Sequence, residues 1–99
     1  MIYHITTADK WQQALKDGFY EPPGFATEGF IHTSYDNQVE GVLKRYYQGK
    51  ENLLKLHINA EKVTAEIKYE LSSSINEIFP HIYGPLNIDA VVAVSEELT

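Results

Sequence analysis

The apolar residues of this chain change their spacing halfway along the sequence. In the first half they recur at helical intervals in two stretches, each of which follows a short apolar run. In the second half they alternate with polar residues, most regularly between Asn52 and Asn59. Early helices followed by a series of strands are typical of an α+β fold. We therefore predict a mixed, partly split β-sheet with two early helices packed on it.

Local signals set the expected limits of these elements. Thr7 and Gly18 suit the two ends of a first helix over residues 8–17, and Ser34 and Gly49 suit the ends of a second helix. The other expected elements are strands at 2–6, 28–33, 52–59 and 66–71, loops at 19–27 and 72–76, an ordered loop or interrupted strand at 79–86, and a central strand buried on both faces at 88–94.

The strand predicted at 66–71 has two distinct faces. The alternation places its apolar residues Ile67, Tyr69 and Leu71 inward. The charged residues Glu66, Lys68 and Glu70 lie on the opposite face. A solvated face is one interpretation of the charged side.

Composition excludes several classes of protein. The chain has 99 residues, a formal net charge of −6 and no cysteine. This length allows a single domain over residues 1–99, and scattered basic residues argue against general nucleic-acid binding. Without cysteine there is no disulfide, thiolate metal site or cysteine nucleophile. The sequence shows no basic leader and no apolar stretch of about 20 residues, so we expect a cytoplasmic protein without a membrane segment.

Three of the four histidines lie within short apolar or aromatic runs, namely His4, His32 and His81. A buried imidazole needs a hydrogen-bond partner, a ligand or a proton to exchange. If the three runs meet in the fold, the rings line one small pocket, so we take all three as candidate catalytic residues. In the alternative interpretation each ring is structural and bonds to the backbone. His57, on the polar face of an alternating strand, is expected to face solvent and to be uninvolved.

The residues after His32 are candidate ligand-binding groups. Thr33 and Ser34 lie where a strand is predicted to become a helix. Free N–H groups at a helix start favour anions, so this segment suits a phosphate, a carboxylate or a ribose hydroxyl. The alternative is that Ser34 only caps the helix and His32 only packs.

The segment around His81 supplies further candidates. Tyr83 and Gly84 follow it between two prolines, and we expect them to bind ligand or to form a rigid plug over the sheet. Glu70, near a strand end, is a candidate catalytic carboxylate that would orient a histidine, act as a base or grip ribose hydroxyls.

Motifs for several other kinds of site are absent. There is no His-x-His or His-x-x-x-His spacing, no Gly-x-Ser-x-Gly and no glycine-rich phosphate loop. We therefore predict no metal, although three distant histidines leave a three-histidine zinc site as an alternative.

Several sequence blocks together resemble the bacterial family known as domain of unknown function 952. They are Ile2-Tyr3-His4-Ile5, Trp11, Glu28-Gly29-Phe30-Ile31-His32-Thr33-Ser34, Gln38, Tyr69-Glu70 and Phe79-Pro80-His81-Ile82-Tyr83-Gly84-Pro85-Leu86. The resemblance covers nearly the whole chain, and the two longest blocks are its most specific part.

The resemblance implies a compact α+β fold that is distantly similar to ADP-ribosyltransferases and RNA 2′-phosphotransferases. Those enzymes bind NAD or a related ribose phosphate in a cleft of a split sheet. By this likeness His4 matches their first-strand position, the His32–Ser34 segment their hydroxyl-bearing strand, and Glu70 their later glutamate. Their arginine–serine–glutamate signature is absent as such from this chain.

Two hypotheses of function follow. In the first, the chain is a small transferase that binds or transforms a ribose- or phosphate-bearing metabolite, with NAD as a candidate substrate. In the second, it is a non-catalytic module that binds a small molecule or a protein partner and has structural histidines.

Overall fold

The structure, a computed structural model, describes residues 1–97, in which eight strands form three antiparallel sheets. The strands are β1 (Ile2–Thr7), β2 (Phe19–Tyr20), β3 (Ile31–His32), β4 (Leu53–Ile58), β5 (Glu66–Ser72), β6 (Glu77–Tyr83), β7 (Leu86–Asn87) and β8 (Val91–Glu97). Their spatial orders are β1-β4-β8, β2-β7 and β3-β6-β5. The predicted α+β class is confirmed, and the strand pairs of residues 1–97 are antiparallel rather than mixed.

The first helix has the predicted limits, and a second, very short helix was not predicted. The helices are α1 (Ala8–Asp17), α2 (Phe25–Glu28) and α3 (Asp36–Tyr46). Thr7 Oγ1 accepts a hydrogen bond from the Lys10 N–H at 3.4 Å, and Gly18 ends α1 with a φ of +87°. Both signals were readable because a cap depends only on neighbouring residues.

The prediction that Ser34 caps the second helix is wrong. The Tyr35 backbone is the N-cap of α3, and its N–H donates to Gln38 Oε1 at 2.9 Å. Ser34 instead forms an isolated bridge to β1, in which its N–H donates to the Tyr3 carbonyl and its carbonyl accepts from the Tyr3 N–H, both at 2.8 Å. A long-range backbone pair has displaced a local cap.

The two long helices pack on opposite faces of the β1-β4-β8 sheet. Trp11 of α1 shares the main core with Leu56 and Ile58 of β4, whereas Val39 of α3 packs in a second cluster with Ile5. Successive residues of a strand point to opposite faces, so one sheet serves both clusters. Leu56 and Ile58 are fully buried, and each such side chain contributes about 1.5–3 kcal/mol to stability.

Two predictions about strand burial are wrong. β8 is an edge strand, and its Val92 and Val94 are 46% and 40% exposed, so the apolar run at 88–94 is not a strand buried on both faces. β5 is also an edge strand, and Tyr69 and Leu71 are exposed instead of inward. Their alternation does continue the face of Ile67, but β5 extends beyond the core.

The segment predicted as an ordered loop or interrupted strand contains a continuous strand, β6, despite Pro80 at its centre. The Pro80 carbonyl accepts from Thr33, so the backbone N and O of Pro80 both point towards the β3 side. Pro80 therefore lacks an N–H only on the side of β3, which has already ended at His32. The ladder between β6 and β5 continues past Pro80.

The predicted loop at 19–27 and the predicted strand at 28–33 have different limits in the structure. β2 and most of α2 lie within the first segment, and the strand shrinks to the two residues of β3. Gly29, with a φ of +83°, ends α2 and places Phe30 ahead of β3. Within residues 1–97, none of the helices has the length and apolar character needed to cross a bilayer.

Candidate functional site

A cavity of about 570 Å³ lies beside β1, β3 and β6, between α3 and the segment that leads into α2. Pockets of roughly 300–1,000 Å³ are typical of small-molecule sites. The structure brings five of the predicted site residues to the wall of this cavity, namely His4, His32, Thr33, Ser34 and His81. The rest of the wall is largely aromatic and aliphatic.

His4 has no free ring nitrogen. Its Nδ1 donates to the His32 carbonyl at 2.6 Å, and its Nε2 lies 2.8 Å from the Tyr20 hydroxyl. Complete burial lowers the pKa of His4 to about 4, so the ring is neutral near pH 7. A neutral ring that donates through Nδ1 leaves Nε2 as an acceptor facing the Tyr20 hydroxyl, which also bonds Thr6 Oγ1 at 2.9 Å. His4 therefore joins β1 to β3 and β2, and we assign it a structural role.

His81 differs from His4 because only one of its nitrogens is used. Its Nδ1 lies 2.7 Å from Glu70 Oε1, and the same oxygen accepts from the Tyr83 hydroxyl at 2.5 Å. These two hydrogen bonds lower the pKa of the Glu70 carboxyl, and the bond to Glu70 raises the pKa of the Tyr83 hydroxyl. An ionised carboxylate only accepts, so the His81 proton lies on Nδ1.

His81 is the member of this arrangement that lines the cavity. Its side chain is 14% exposed and lines the cavity, while Glu70 and Tyr83 are not among the lining residues. Within residues 1–97, Nε2 of His81 has no hydrogen-bond partner. The site therefore presents an imidazole that is held at one ring nitrogen and unbonded by residues 1–97 at the other.

His32 forms a second carboxylate–imidazole pair next to the first. Its Nε2 lies 2.6 Å from Glu28 Oε2, and the two side chains are 61% and 44% exposed. The register of β3 and β6 sets His32 opposite His81, with ring centroids 5.1 Å apart. Phe30 stacks on His81 at 4.3 Å and meets His32 edge-on at 4.8 Å. Phe30 thus fixes the positions of both rings.

The candidate anion-binding groups after His32 are used internally. The Thr33 hydroxyl and N–H both donate to the Pro80 carbonyl, at 2.6 and 3.2 Å. The N–H groups of Ser34 and Tyr35 are occupied by Tyr3 and Gln38. Thr33 and Ser34 line the cavity, but the N–H groups expected to bind an anion already have partners.

Gly84 and His57 lie outside the cavity wall. A Cβ atom on Gly84 would stand 2.7 Å from the Ala65 Cβ, so this glycine permits close packing between segments. His57 is half-buried rather than solvent-facing, because its Nε2 bonds the Ser95 hydroxyl at 2.9 Å and its ring meets Tyr3 edge-on.

Sequence reasoning missed two residues of the site, Phe30 and Glu28. Glu28 was placed in the strand predicted at 28–33, where four extended residues would hold it about 13 Å from His32, whereas Gly29 ends α2 and lets the two side chains meet. The positive φ of a glycine between them was the available signal. Phe30 carried no signal beyond its apolar character.

The geometry does not assemble a metal centre. Within residues 1–97, no group of three or more histidine or acidic side chains is placed to hold an ion. His4 is also committed at both nitrogens, which removes it from a three-histidine set.

Known proteins match the chain in sequence and in structure. The family model described as "Protein of unknown function (DUF952)" matches residues 5–94. The crystal structure of protein CC0527 from Caulobacter crescentus is 30% identical, with a TM-score of 0.89 over 99% of this chain and 87% of that one. The solution NMR structure of the same protein, also 30% identical, has a TM-score of 0.81 over 96% of this chain and 82% of that one. No curated protein matches the chain.

These matches confirm the family resemblance inferred from the sequence blocks. The match to CC0527 includes the whole of the cavity wall, since it extends over nearly all of this chain. The chain belongs to the family described as "Protein of unknown function (DUF952)".

Proposed function

We propose that the protein is a small-molecule enzyme in which His81 moves a proton on a ligand bound in the cavity. The observation that supports this proposal is the asymmetric bonding of the His81 ring. One nitrogen is held by Glu70, the other has no partner among residues 1–97, and the His81 side chain lines the cavity. A carboxylate–imidazole pair at the wall of a cavity suits general acid–base catalysis.

The proton transfer uses the following groups. Nε2 of His81 accepts a proton from an O–H or N–H of the ligand, and the resulting imidazolium is stabilised by the Glu70 carboxylate. The same proton then passes from Nε2 to another oxygen or nitrogen atom of the ligand. The His81 ring thereby returns to its starting state. Glu70 is a positioning residue, and the Tyr83 hydroxyl keeps its carboxylate in place.

The ligand that we propose carries hydroxyl groups but no phosphate. Ribose hydroxyls suit the free nitrogens of His81 and His32, in line with the ribose-bearing metabolite implied by the family resemblance. Phosphate finds less support, because no lysine or arginine within residues 1–97 lines the cavity. NAD as substrate, and transfer of an ADP-ribosyl or phosphoryl group, would each need such a cation.

Carbethoxylation by diethyl pyrocarbonate tests the reactivity of Nε2 without knowledge of the substrate. We expect His81 to react fastest among the buried and half-buried histidines, and His4 to stay unmodified. His57 is the internal control, because it is half-buried and bonded at Nε2. Modification of His81 no faster than that of His4 would contradict the proposal.

A turnover screen tests the catalytic part. Nucleosides, NAD and ADP-ribose are incubated with the protein and followed by mass spectrometry. We expect the nucleosides, but not NAD or ADP-ribose, to be converted by the wild type and by His57→Asn, and the rate to fall about 10²–10⁴-fold in His81→Asn. Equal conversion by wild type and His81→Asn would exclude His81 as the general base.

The second candidate is a non-catalytic binding module, and the bonding of His4 favours it. One of the three cavity histidines, His4, is bonded within the protein at both ring nitrogens, and the two carboxylate–imidazole pairs also tie β5 to β6 and α2 to β3. In that case His81→Asn would lower the free energy of unfolding and leave ligand affinity unchanged.

A further inference from the structure

We infer that the ligand of this cavity is an organic cation with an apolar or aromatic body. This inference rests on the proposed function only in using the same cavity, and it requires no proton transfer. Three features of the cavity carry it: the sign of the charges at its wall, the chemistry of the wall itself, and the placement of the nearest lysines.

The charges near the cavity are negative. Glu28 is the only acidic or basic side chain, histidines apart, among the lining residues within 1–97. Glu70 stands directly behind His81 as a second carboxylate, and its lowered pKa keeps it ionised at neutral pH. An incoming anion would therefore meet two carboxylates and no fixed cation, whereas a cation would be attracted by both.

The wall of the cavity offers aromatic surfaces to such a cation. Its aromatic residues are Tyr3, Phe30, Tyr46, Tyr47 and Phe79. The faces of aromatic rings carry partial negative charge, and cages of such rings are the usual means of recognising quaternary ammonium groups. Pro22, Pro23 and Val42 complete an apolar surface for the body of the ligand.

The nearest lysines are held away from the cavity. Lys55 lies over the Tyr3 ring at 5.3 Å but pairs with Glu97 at 3.3 Å, and it does not line the cavity. Lys68 lies over the Tyr83 ring at 4.6 Å, outside the wall as well. Tyr3 lines the cavity and Tyr83 does not, but neither of the two lysines that lie over these rings is itself a lining residue.

Three probes of similar shape and different charge test this inference: phenyltrimethylammonium, its uncharged isostere tert-butylbenzene, and phenylphosphonate. Binding is followed by backbone amide NMR shifts of the cavity residues at pH 7.5, where His4 is neutral. We expect phenyltrimethylammonium to bind roughly 5–10-fold more tightly than tert-butylbenzene, corresponding to about 1 kcal/mol of cation–π and charge attraction. Phenylphosphonate should not shift these amides.

Glu28→Gln isolates the contribution of the lining carboxylate. We expect this substitution to lower the affinity for phenyltrimethylammonium by roughly 2–5-fold. The effect is modest because Glu28 is partly exposed and solvent screens its attraction for the cation. The affinity of tert-butylbenzene should not change. Glu51→Gln is the matched control, since Glu51 is exposed and lies outside the cavity wall. Raising the salt concentration should weaken the binding of phenyltrimethylammonium to the wild type and leave the binding of tert-butylbenzene unchanged. This measurement does not depend on the folding of any variant.

Equal affinity for the cation and its isostere, stronger binding of phenylphosphonate, or no shift at the cavity with any probe would each overturn the inference. None of these results bears on the carbethoxylation of His81. The charge preference and the proposed proton transfer can therefore fail separately.

Discussion

The role of each histidine in this fold depends on how many of its ring nitrogens are bonded within the protein. Within residues 1–97, His4 uses both ring nitrogens in hydrogen bonds, whereas His81 uses only one. Their local sequences, Tyr-His-Ile and His-Ile-Tyr, contain the same residue types. The difference lies in partners that are 11 to 28 residues away in the chain.

Stability should depend on pH through His4. The folded pKa of about 4 lies below the model-peptide value of 6.5, so between these values the unfolded chain binds a proton that the folded chain excludes. Stability is therefore complete above pH 6.5 and falls as the pH drops towards 4. The gap between the two pKa values corresponds to a loss of at most about 3 kcal/mol.

Urea unfolding at pH 7, 5 and 4 measures this loss. His4→Gln removes the ionisable ring, so its stability should be lower at pH 7 but should fall less between pH 7 and pH 4 than that of the wild type. His57→Asn should retain the wild-type slope. Identical slopes for His4→Gln and the wild type would show that another group controls the acid sensitivity.

Gly84 should prove to be a packing residue. An alanine there would place its Cβ 2.7 Å from the Ala65 Cβ, so one segment must move. We expect Gly84→Ala to cost about 1–3 kcal/mol in the free energy of unfolding. Ala65→Gly in the same chain should recover part of that cost. If Gly84→Ala kept full stability but lost binding of phenyltrimethylammonium, Gly84 would belong to the ligand site.

At the scale of the elements, the sequence predicted what local signals determine. The limits of α1, and the strands β1, β4 and β5, followed from caps and from alternation. Local signals of this kind did not predict α2, β6 or the exposure of β8. Whether a strand lies at an edge depends on which other strands pair with it, and the continuation of β6 past Pro80 depends on where β3 ends. Neither property is present in the segment itself.

The candidate site was predictable in part for the same reason. The histidines stood out because imidazoles in apolar runs are unusual, and Glu70 because it is a carboxylate near a strand end. Glu28 and Phe30 were not predictable, since their contacts require the turn at Gly29. The division between structural His4 and available His81 required the full hydrogen-bond network.

Gly29 should couple the shape of α2 to the site. Its φ of +83° is strained for any other residue, and a Cβ there meets open space, so Gly29→Ala costs only backbone energy, about 1–2 kcal/mol. Gly49 has a similar φ of +80° and equally open surroundings, away from the cavity. Gly49→Ala should therefore lose similar stability in urea unfolding.

Only the change at Gly29 should alter the chemistry of the site. Moving Gly29 displaces Phe30 from His81 and Glu28 from His32, so the carbethoxylation rate of His81 should change in Gly29→Ala and stay constant in Gly49→Ala. The same rate in both variants would mean that the turn does not position the ring.

At the scale of the whole molecule, the cavity lies where two sheets and two helical segments meet. β1 belongs to one sheet, β3 and β6 to another, and α3 and the segment before α2 complete the wall. The main core, with fully buried Leu56, Ile58 and Ile82, joins the first and third sheets. The cavity is bordered by parts that are less buried than this core, since α2 has no buried residue.

Hydrogen exchange should therefore separate a stable centre from a labile rim. The amides of β4 and β6 lie in central strands over the main core, so we expect them to exchange only through opening of most of the molecule. The amides of Glu28 and Gly29, bonded within the single turn of α2, should exchange at least about 10³-fold faster. Saturating phenyltrimethylammonium should slow exchange in α2, since Gly24 and Glu28 line the cavity, and leave the single 3₁₀ turn Ala60–Lys62, which lies outside the cavity wall, less affected. Protection of α2 equal to that of β4 without any ligand would show that the rim is as rigid as the core, and the ligand would then have nothing to order.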